Sequence, residues 1–233
     1  MMTTTAAYTA IVPAAGIGSR MAAAVPKQYL PLNGSTLLEQ TLAVLLNHSA
    51  IKRIIVATAE QDPWFDQLAI AQHPRIVRVL GGAERANTVL NALAYVETDM
   101  VLVHDAARPC LHQHDLDAVL QAGLQADGAI LAARVRDTMK RGDGNGRIST
   151  SVARDELWHA LTPQCFATQP LAQALASALA AGAVITDEAS AMEWAGFHPQ
   201  LVPGRADNIK VTQPEDLDLA HFFLQARDKA DLA

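Results

Sequence analysis

The chain has 233 residues, half of them hydrophobic and 18% charged, which excludes a disordered, collagen-like or mucin-like polymer and allows a sizeable core. A formal net charge of −6 argues against a broad nucleic-acid footprint. Cys110 and Cys165 allow at most one bridge and fit no zinc spacing, and the start lacks the basic and then apolar order of a secretory signal. The most apolar stretch, 171–185, is interrupted by Gln173, Ser177 and Gly182 and is too short to span a bilayer. The expectation is a soluble cytoplasmic protein with no nucleic-acid or membrane partner.

Short β-branched runs alternate with helical patterns along the chain. Residues 9–13 (TAIVP) read as a first strand, followed by glycines and a helix over 36–47. Strands follow at 52–58 and 76–80, a helix at 84–95, and a buried strand at 100–104 that ends at Asp105. A helix at 115–126 and a strand at 129–133 continue the pattern. This rhythm predicts βαβ units: an α/β fold with a mostly parallel sheet and helices on both faces. The polar stretch 134–154, centred on Gly142-Asp-Gly-Asn-Gly146, reads as an inserted β-arm. No repeat or linker divides the rest, so residues 1–233 read as one domain carrying that arm. Further on, 207–212 reads as a short strand bearing Lys210, with the last helix starting near Pro214.

Ligands in such folds sit beyond the carboxyl ends of the strands, which directs attention to 13–27, 81–85 and 105–108. In VPAAGIGSRM (12–21), Gly16 and Gly18 let backbone N–H groups converge on an anion, while Met21 breaks the dinucleotide fingerprint. Arg20 and Lys27 add two cations to the same loop, as a polyphosphate site requires. GGAERANT (81–88) offers paired glycines and the Thr88 hydroxyl, although on its own it is better explained as a plain loop with a charged helix start. VHDAARP (103–109) sets Asp105 and Arg108 just after a strand; ribose or magnesium suits the acid and phosphate the base, against the bland alternative of a local ion pair. TDEAS (186–190) is a good helix start with Thr186 as cap, which is sufficient reason for its acids. Cys110, His112 and His114 read as an exposed loop rather than a metal site.

Taken together and in order, VPAAGIGSRM, PKQYL, GGAERANTV, VHDAARP, RDTMK, LTPQ, ITDEASA and DNIKVT closely resemble the 2-C-methyl-D-erythritol 4-phosphate cytidylyltransferases. The resemblance implies a Rossmann-like nucleotidyltransferase fold, a homodimer made through the β-arm, and Mg²⁺-dependent transfer of CMP from CTP to methylerythritol phosphate with release of pyrophosphate. It implies catalytic roles for Arg20, Lys27, Arg154 and Lys210, the first two on the triphosphate and the last two on the acceptor phosphate. CTP contacts fall on Ala14, Ala15, Gly16, Gly18, Gly82, Thr88 and Asp105. Acceptor contacts fall on Asp105, Arg108, Thr138, Thr162 and Thr186, and Asp105 is also the candidate metal ligand, with Mg²⁺ held chiefly by CTP phosphates. The remaining alternatives are a cytidylyltransferase for another polyol phosphate such as ribitol 5-phosphate, and a non-catalytic nucleotide-binding protein.

A phosphate monoester has its second pKa near about 6 and is mostly dianionic at neutral pH, so this chemistry asks for no strong general base. The difficulty is repulsion between two anions, which cations offset. The arm fits that need: Arg134, Arg136, Lys140, Arg141, Arg147 and Arg154 outnumber Asp137 and Asp143 within an otherwise acidic chain.

Overall fold

The computed structural model describes residues 6–16, 25–125 and 127–230. Its centre is a seven-stranded sheet in the order β11-β7-β10-β6-β1-β4-β5. The strands are β1 (Tyr8–Pro13), β4 (Ile51–Thr58), β5 (Ile76–Leu80), β6 (Met100–Val103), β7 (Ala129–Arg134), β10 (Trp158–Ala167) and β11 (Gln200–Pro203). Pairings of β1 with β4 and β6, of β4 with β5, and of β7 with β11 are parallel, whereas β10 runs antiparallel to both β6 and β7. Two short strands, β2 (Pro31–Leu32) and β3 (Ser35–Thr36), form a separate small hairpin. The sequence pattern anticipates the first five sheet strands to within a residue or two.

Burial on both faces explains their continuous apolar runs. Ala10 and Val12 of β1, Ile54 and Val56 of β4 and Leu102 of β6 pack on one face with α1 (Leu37–Leu46) and α3 (Gln113–Gly123). The alternate residues Ile11, Ile55, Ala57, Val101 and Val103 pack on the other with α2 (Arg85–Leu93), α4 (Thr168–Ala180) and α5 (Glu188–Trp194). A third cluster seats α6 (Glu215–Ala230) through Ala220 and Leu224 on Leu32, Leu37, Ala107 and Cys110. Helix α1 begins where the sequence calls for it. The Thr36 hydroxyl accepts from Glu39 N at 3.2 Å and the Glu39 carboxylate accepts from Thr36 N at 2.9 Å, a reciprocal cap.

The arm is a two-stranded antiparallel ribbon of β8 (Met139–Gly142) and β9 (Ile148–Val152). Its tip turns through Gly144 and Gly146, at φ of 86° and 79°, and Asp143 Oδ1 accepts from the backbone of Asn145 and Arg147. It springs from the end of β7 and returns into β10, where Val135 N bonds Leu157 O at 3.0 Å.

Three local expectations are corrected. Residues 207–212 form no strand, because their backbone groups are used singly: Val211 N bonds Ala107 O, while Lys27 and Arg108 side chains take Val211 O and Asn208 O. Thr186 is not the cap of α5; Asp187 is, accepting from Ser190 N at 2.9 Å. Cys110 is not in an exposed loop but buried beneath α6, and burial pushes its thiol up to about 12. Both cysteines are free and buried. No described helix is long and apolar enough to cross a membrane.

Candidate active site

Because β1 lies between β4 and β6, the chain leaves the sheet on opposite sides of β1, and a crevice opens beyond its carboxyl end. A cavity of about 300 Å³ occupies it, floored by Ala14, Ala15 and Gly16 after β1 and walled by Gly82 to Arg85 after β5. Thr88, Lys27, Asp105 and Lys210 complete the lining. Close packing shapes this crevice: a Cβ on Gly81 would lie 2.6 Å from Ala15 Cβ, and one on Gly82 2.5 Å from Asn87 Cβ. At Gly16 a Cβ would meet no described atom within 4 Å.

Side chains fix the backbone here. Buried Gln28 donates through Nε2 to Ala14 O at 2.7 Å and Gly16 O at 3.1 Å, pinning the loop after β1. Thr88 Oγ1 accepts from Gly82 N and donates to Glu84 O, both at 2.9 Å, pinning the loop after β5. Lys27 follows Pro26 in a single 3₁₀ turn and donates to Val211 O at 2.7 Å.

A second cavity of about 250 Å³ adjoins the first and is lined by Arg108, Ala160, Leu161, Thr162, Gln164, Thr186 and Asp187. Arg85, Asp105 and Lys210 line both. At this junction Asp105 accepts from three cations. Its Oδ2 lies 3.0 Å from Lys210 Nζ and 3.2 Å from Arg108 Nε, and its Oδ1 lies 3.2 Å from Arg85 Nη2. Burial raises the pKa of the Asp105 carboxyl, but Arg85, Lys210 and Arg108 together outweigh it and hold the group well below the usual carboxylate range. Burial also lowers the Arg108 guanidinium, with Asp105 opposing it.

Behind the junction, His104 organises the second wall. Its Nε2 lies 3.0 Å from Arg108 O, which only accepts, so Nε2 carries the proton and Nδ1 accepts from Thr162 Oγ1 at 3.0 Å. Thr162 Oγ1 in turn accepts from Asp105 N at 3.0 Å. Burial holds the imidazole neutral, its pKa lowered to about 4. Asn208 closes the same wall: its Nδ2 donates to Thr162 O at 2.9 Å, and its backbone carbonyl accepts from Arg108 Nη1 at 2.7 Å.

The structure therefore brings together Ala14, Ala15, Gly16, Lys27, Gly82, Thr88, Asp105 and Lys210 in one cavity. Asp105, Arg108, Thr162 and Thr186 come together in the next. Thr138 and Arg154 stay apart: both are exposed on the arm and line neither cavity of the single chain. Gly18 and Arg20 lie outside the described residues. Sequence reasoning missed Gln28, Arg85, His104 and Glu188 as site residues, although each falls within or beside a motif already singled out.

Comparison with known proteins adds the chemistry. Residues 8–226 match the family model described as 2-C-methyl-D-erythritol 4-phosphate cytidylyltransferase. A protein of that name from Aeromonas hydrophila is 64% identical over 220 residues, covering 94% of this chain and 90% of its own length. One from Tolumonas auensis is 60% identical over 222 residues, covering 95% and 98%. The crystal structure of the Francisella tularensis 2-C-methyl-D-erythritol 4-phosphate cytidylyltransferase superposes with a TM-score of 0.80 at 34% identity, over 94% of this chain and all of the other. With a nucleotidyltransferase-like sheet, a crevice beyond the carboxyl end of β1 and this breadth of match, the chain belongs to the 2-C-methyl-D-erythritol 4-phosphate cytidylyltransferase family and is a CTP-dependent transferase.

Proposed function

We propose that the first cavity binds CTP and the second binds 2-C-methyl-D-erythritol 4-phosphate, so that CMP is transferred across the junction at Asp105. The observation that carries this reading is that both cavities share Arg85, Asp105 and Lys210, which sets two anionic ligands side by side over common charges. Small residues at Ala14, Ala15 and Gly82 favour a base lying against main chain. An oxygen of the acceptor phosphate attacks the α-phosphorus of CTP, that P–O bond forms, and the bond to the β-phosphate oxygen breaks to release pyrophosphate. The attacking dianion needs no base, in keeping with a neutral, buried His104.

Lys27 and Arg20 offset charge on the triphosphate, while Lys210 and Arg154 receive the acceptor phosphate. Lys210 exchanges its bond to Asp105 for the incoming phosphate. Among the described residues no cluster of His, Cys, Asp and Glu is built to hold a metal, and both Asp105 oxygens already bond cations. These residues fit a magnesium ion carried mainly by triphosphate oxygens, for which Asp105 would be the candidate protein ligand. Bound there, the ion would neutralise phosphate charge.

The exposed, basic arm supports the second part of the reading, a homodimer in which the arm delivers Arg154 and Thr138 to the neighbouring chain's acceptor cavity. A two-stranded ribbon is marginal alone and gains stability by docking. The two free thiols are compatible with a reducing compartment, and a cytoplasmic location belongs to the same reading.

The experiment fills each cavity separately. Gly16→Val, whose Cβ would meet no described atom within 4 Å, is expected to abolish CTP binding in calorimetry. Thr186→Trp is expected to leave CTP binding intact and raise the KM for the acceptor. Undiminished CTP affinity in Gly16→Val would overturn the assignment of the cavities.

A further inference from the structure

Glu188 is the first residue of α5 and has no role in capping it, which Asp187 performs. It is 1% exposed, yet it carries a carboxylate. Its oxygens accept both ends of the Arg85 guanidinium, Nη1 to Oε1 at 2.7 Å and Nη2 to Oε2 at 3.0 Å. The other edge of that guanidinium faces Asp105 Oδ1, from Nε at 3.3 Å and Nη2 at 3.2 Å. Arg85 opens α2 on the wall of the first cavity, and the Thr186–Asp187 segment that carries Glu188 lies on the wall of the second. A relay of charge thus runs from one wall to the other through the junction.

Stability alone does not call for such a pair. Desolvating two charges costs about as much as their attraction returns, and well-packed apolar side chains often serve as well. What an apolar pair lacks is direction. A planar guanidinium held by two parallel hydrogen bonds has its orientation fixed, and with it the position of the edge that meets Asp105. Burial raises the Glu188 carboxyl and opposes its charge, while Arg85 is raised because Glu188 and Asp105 outweigh its own burial.

We propose that Glu188 is a positioning residue that acts through Arg85 to hold the Asp105 carboxylate in line between the two ligands. Asp105 then keeps Oδ1 on Arg85 and offers Oδ2 to Lys210 and Arg108, the two cations on the acceptor side. Without Glu188, Arg85 is free to swing toward the triphosphate or to draw Asp105 off its present direction. The inference rests on the two-cavity reading, and its test has one arm that does not.

That arm is the side-chain nitrogen NMR spectrum of the ligand-free protein. In the wild type the Arg85 guanidinium is expected to show resolved, slowly rotating Nη protons, and in Glu188→Gln these are expected to collapse. In steady-state assays Glu188→Gln is expected to lower kcat on the order of 10²-fold, the loss that misplacement of a reacting group can bring. The KM for CTP should change little. Because removing half of a buried pair threatens folding, Arg85→Met and the double variant Arg85→Met/Glu188→Gln are compared as well. If Glu188 acts through Arg85, the two have equal kcat. Three results would overturn the inference: an unchanged Arg85 spectrum in Glu188→Gln, wild-type kcat in that variant, or a further loss of kcat in the double variant. Failure of the two-cavity reading would leave the spectral result standing and would show instead in the CTP affinity of Gly16→Val.

Discussion

Lys210 Nζ lies 3.0 Å from Asp105 Oδ2, so a residue on the connection into α6 meets the second residue after β6 at a position lining both cavities. On the proposed reading, Asp105 holds Lys210 until the acceptor phosphate takes its place, and the sheet places that carboxylate. The same carboxylate is held by Arg85 and Arg108, so no single cation has to leave it uncompensated.

Lys27→Ala is expected to lower kcat on the order of 10²-fold or more, as for loss of one preorganised stabilising donor. The bond from Lys27 to Val211 O also ties the first loop to the segment carrying Lys210, so a modest rise in acceptor KM should accompany the loss. Pyrophosphate release at saturating CTP measures both, and near-wild-type turnover would remove Lys27 from the catalytic set.

On the proposed reading, Thr88 serves CTP through the loop that it pins. Thr88→Val leaves Gly82 N without its partner and Glu84 O with only the Thr88 backbone N–H, and should weaken CTP binding by about 1–3 kcal/mol, whereas Thr88→Ser should restore most of it. Calorimetric titration distinguishes the two, and equal affinities for Val and Ser would show that the hydroxyl is idle.

Acid should weaken the wall built on His104. Its folded pKa of about 4 lies below the ordinary 6.5, so between these values the unfolded chain binds more protons than the folded one. The contribution is complete above the unfolded value and is lost as pH falls through this window, a change on the order of 3 kcal/mol. Urea unfolding at a series of pH values should show a flatter acid slope for His104→Asn than for the wild type. An identical slope would mean that the imidazole is not held neutral.

If the arm reaches across a dimer, Arg154→Ala and Lys27→Ala chains, each inactive alone, should complement after subunit exchange. Every mixed dimer then contains one site with both residues intact and recovers about half of the wild-type activity of a dimer, by the geometry of a shared site. No recovery despite proven exchange would confine all the catalytic residues to one chain.

Much of this architecture is legible in the sequence because the physics is local. The Thr36 and Glu39 cap, the apolar runs of β1, β4 and β6, and the glycine-rich tip of the arm all announce themselves within a few residues. Strand β10 does not. It mixes polar and apolar residues around Pro163, and its register with β7 shifts between Ala160 and Gln164. The roles of Glu188 and His104 are hidden for a different reason. An acid in a first helical turn already has an adequate local explanation, and the partners that give these two residues their work, Arg85 and Thr162, lie far away in the chain. The strand expected at 207–212 is absent, and side chains of Arg108 and Lys27, distant in sequence, take the carbonyls of Asn208 and Val211 instead.

The most direct measurement is pyrophosphate release from CTP in the presence and absence of 2-C-methyl-D-erythritol 4-phosphate, with ribitol 5-phosphate as a second acceptor. Two adjoining cavities that must both be filled predict rapid release with methylerythritol phosphate, together with the cytidine-diphospho product, and almost none with CTP alone or with ribitol 5-phosphate. Equal release without an acceptor, or with either polyol phosphate, would contradict the account.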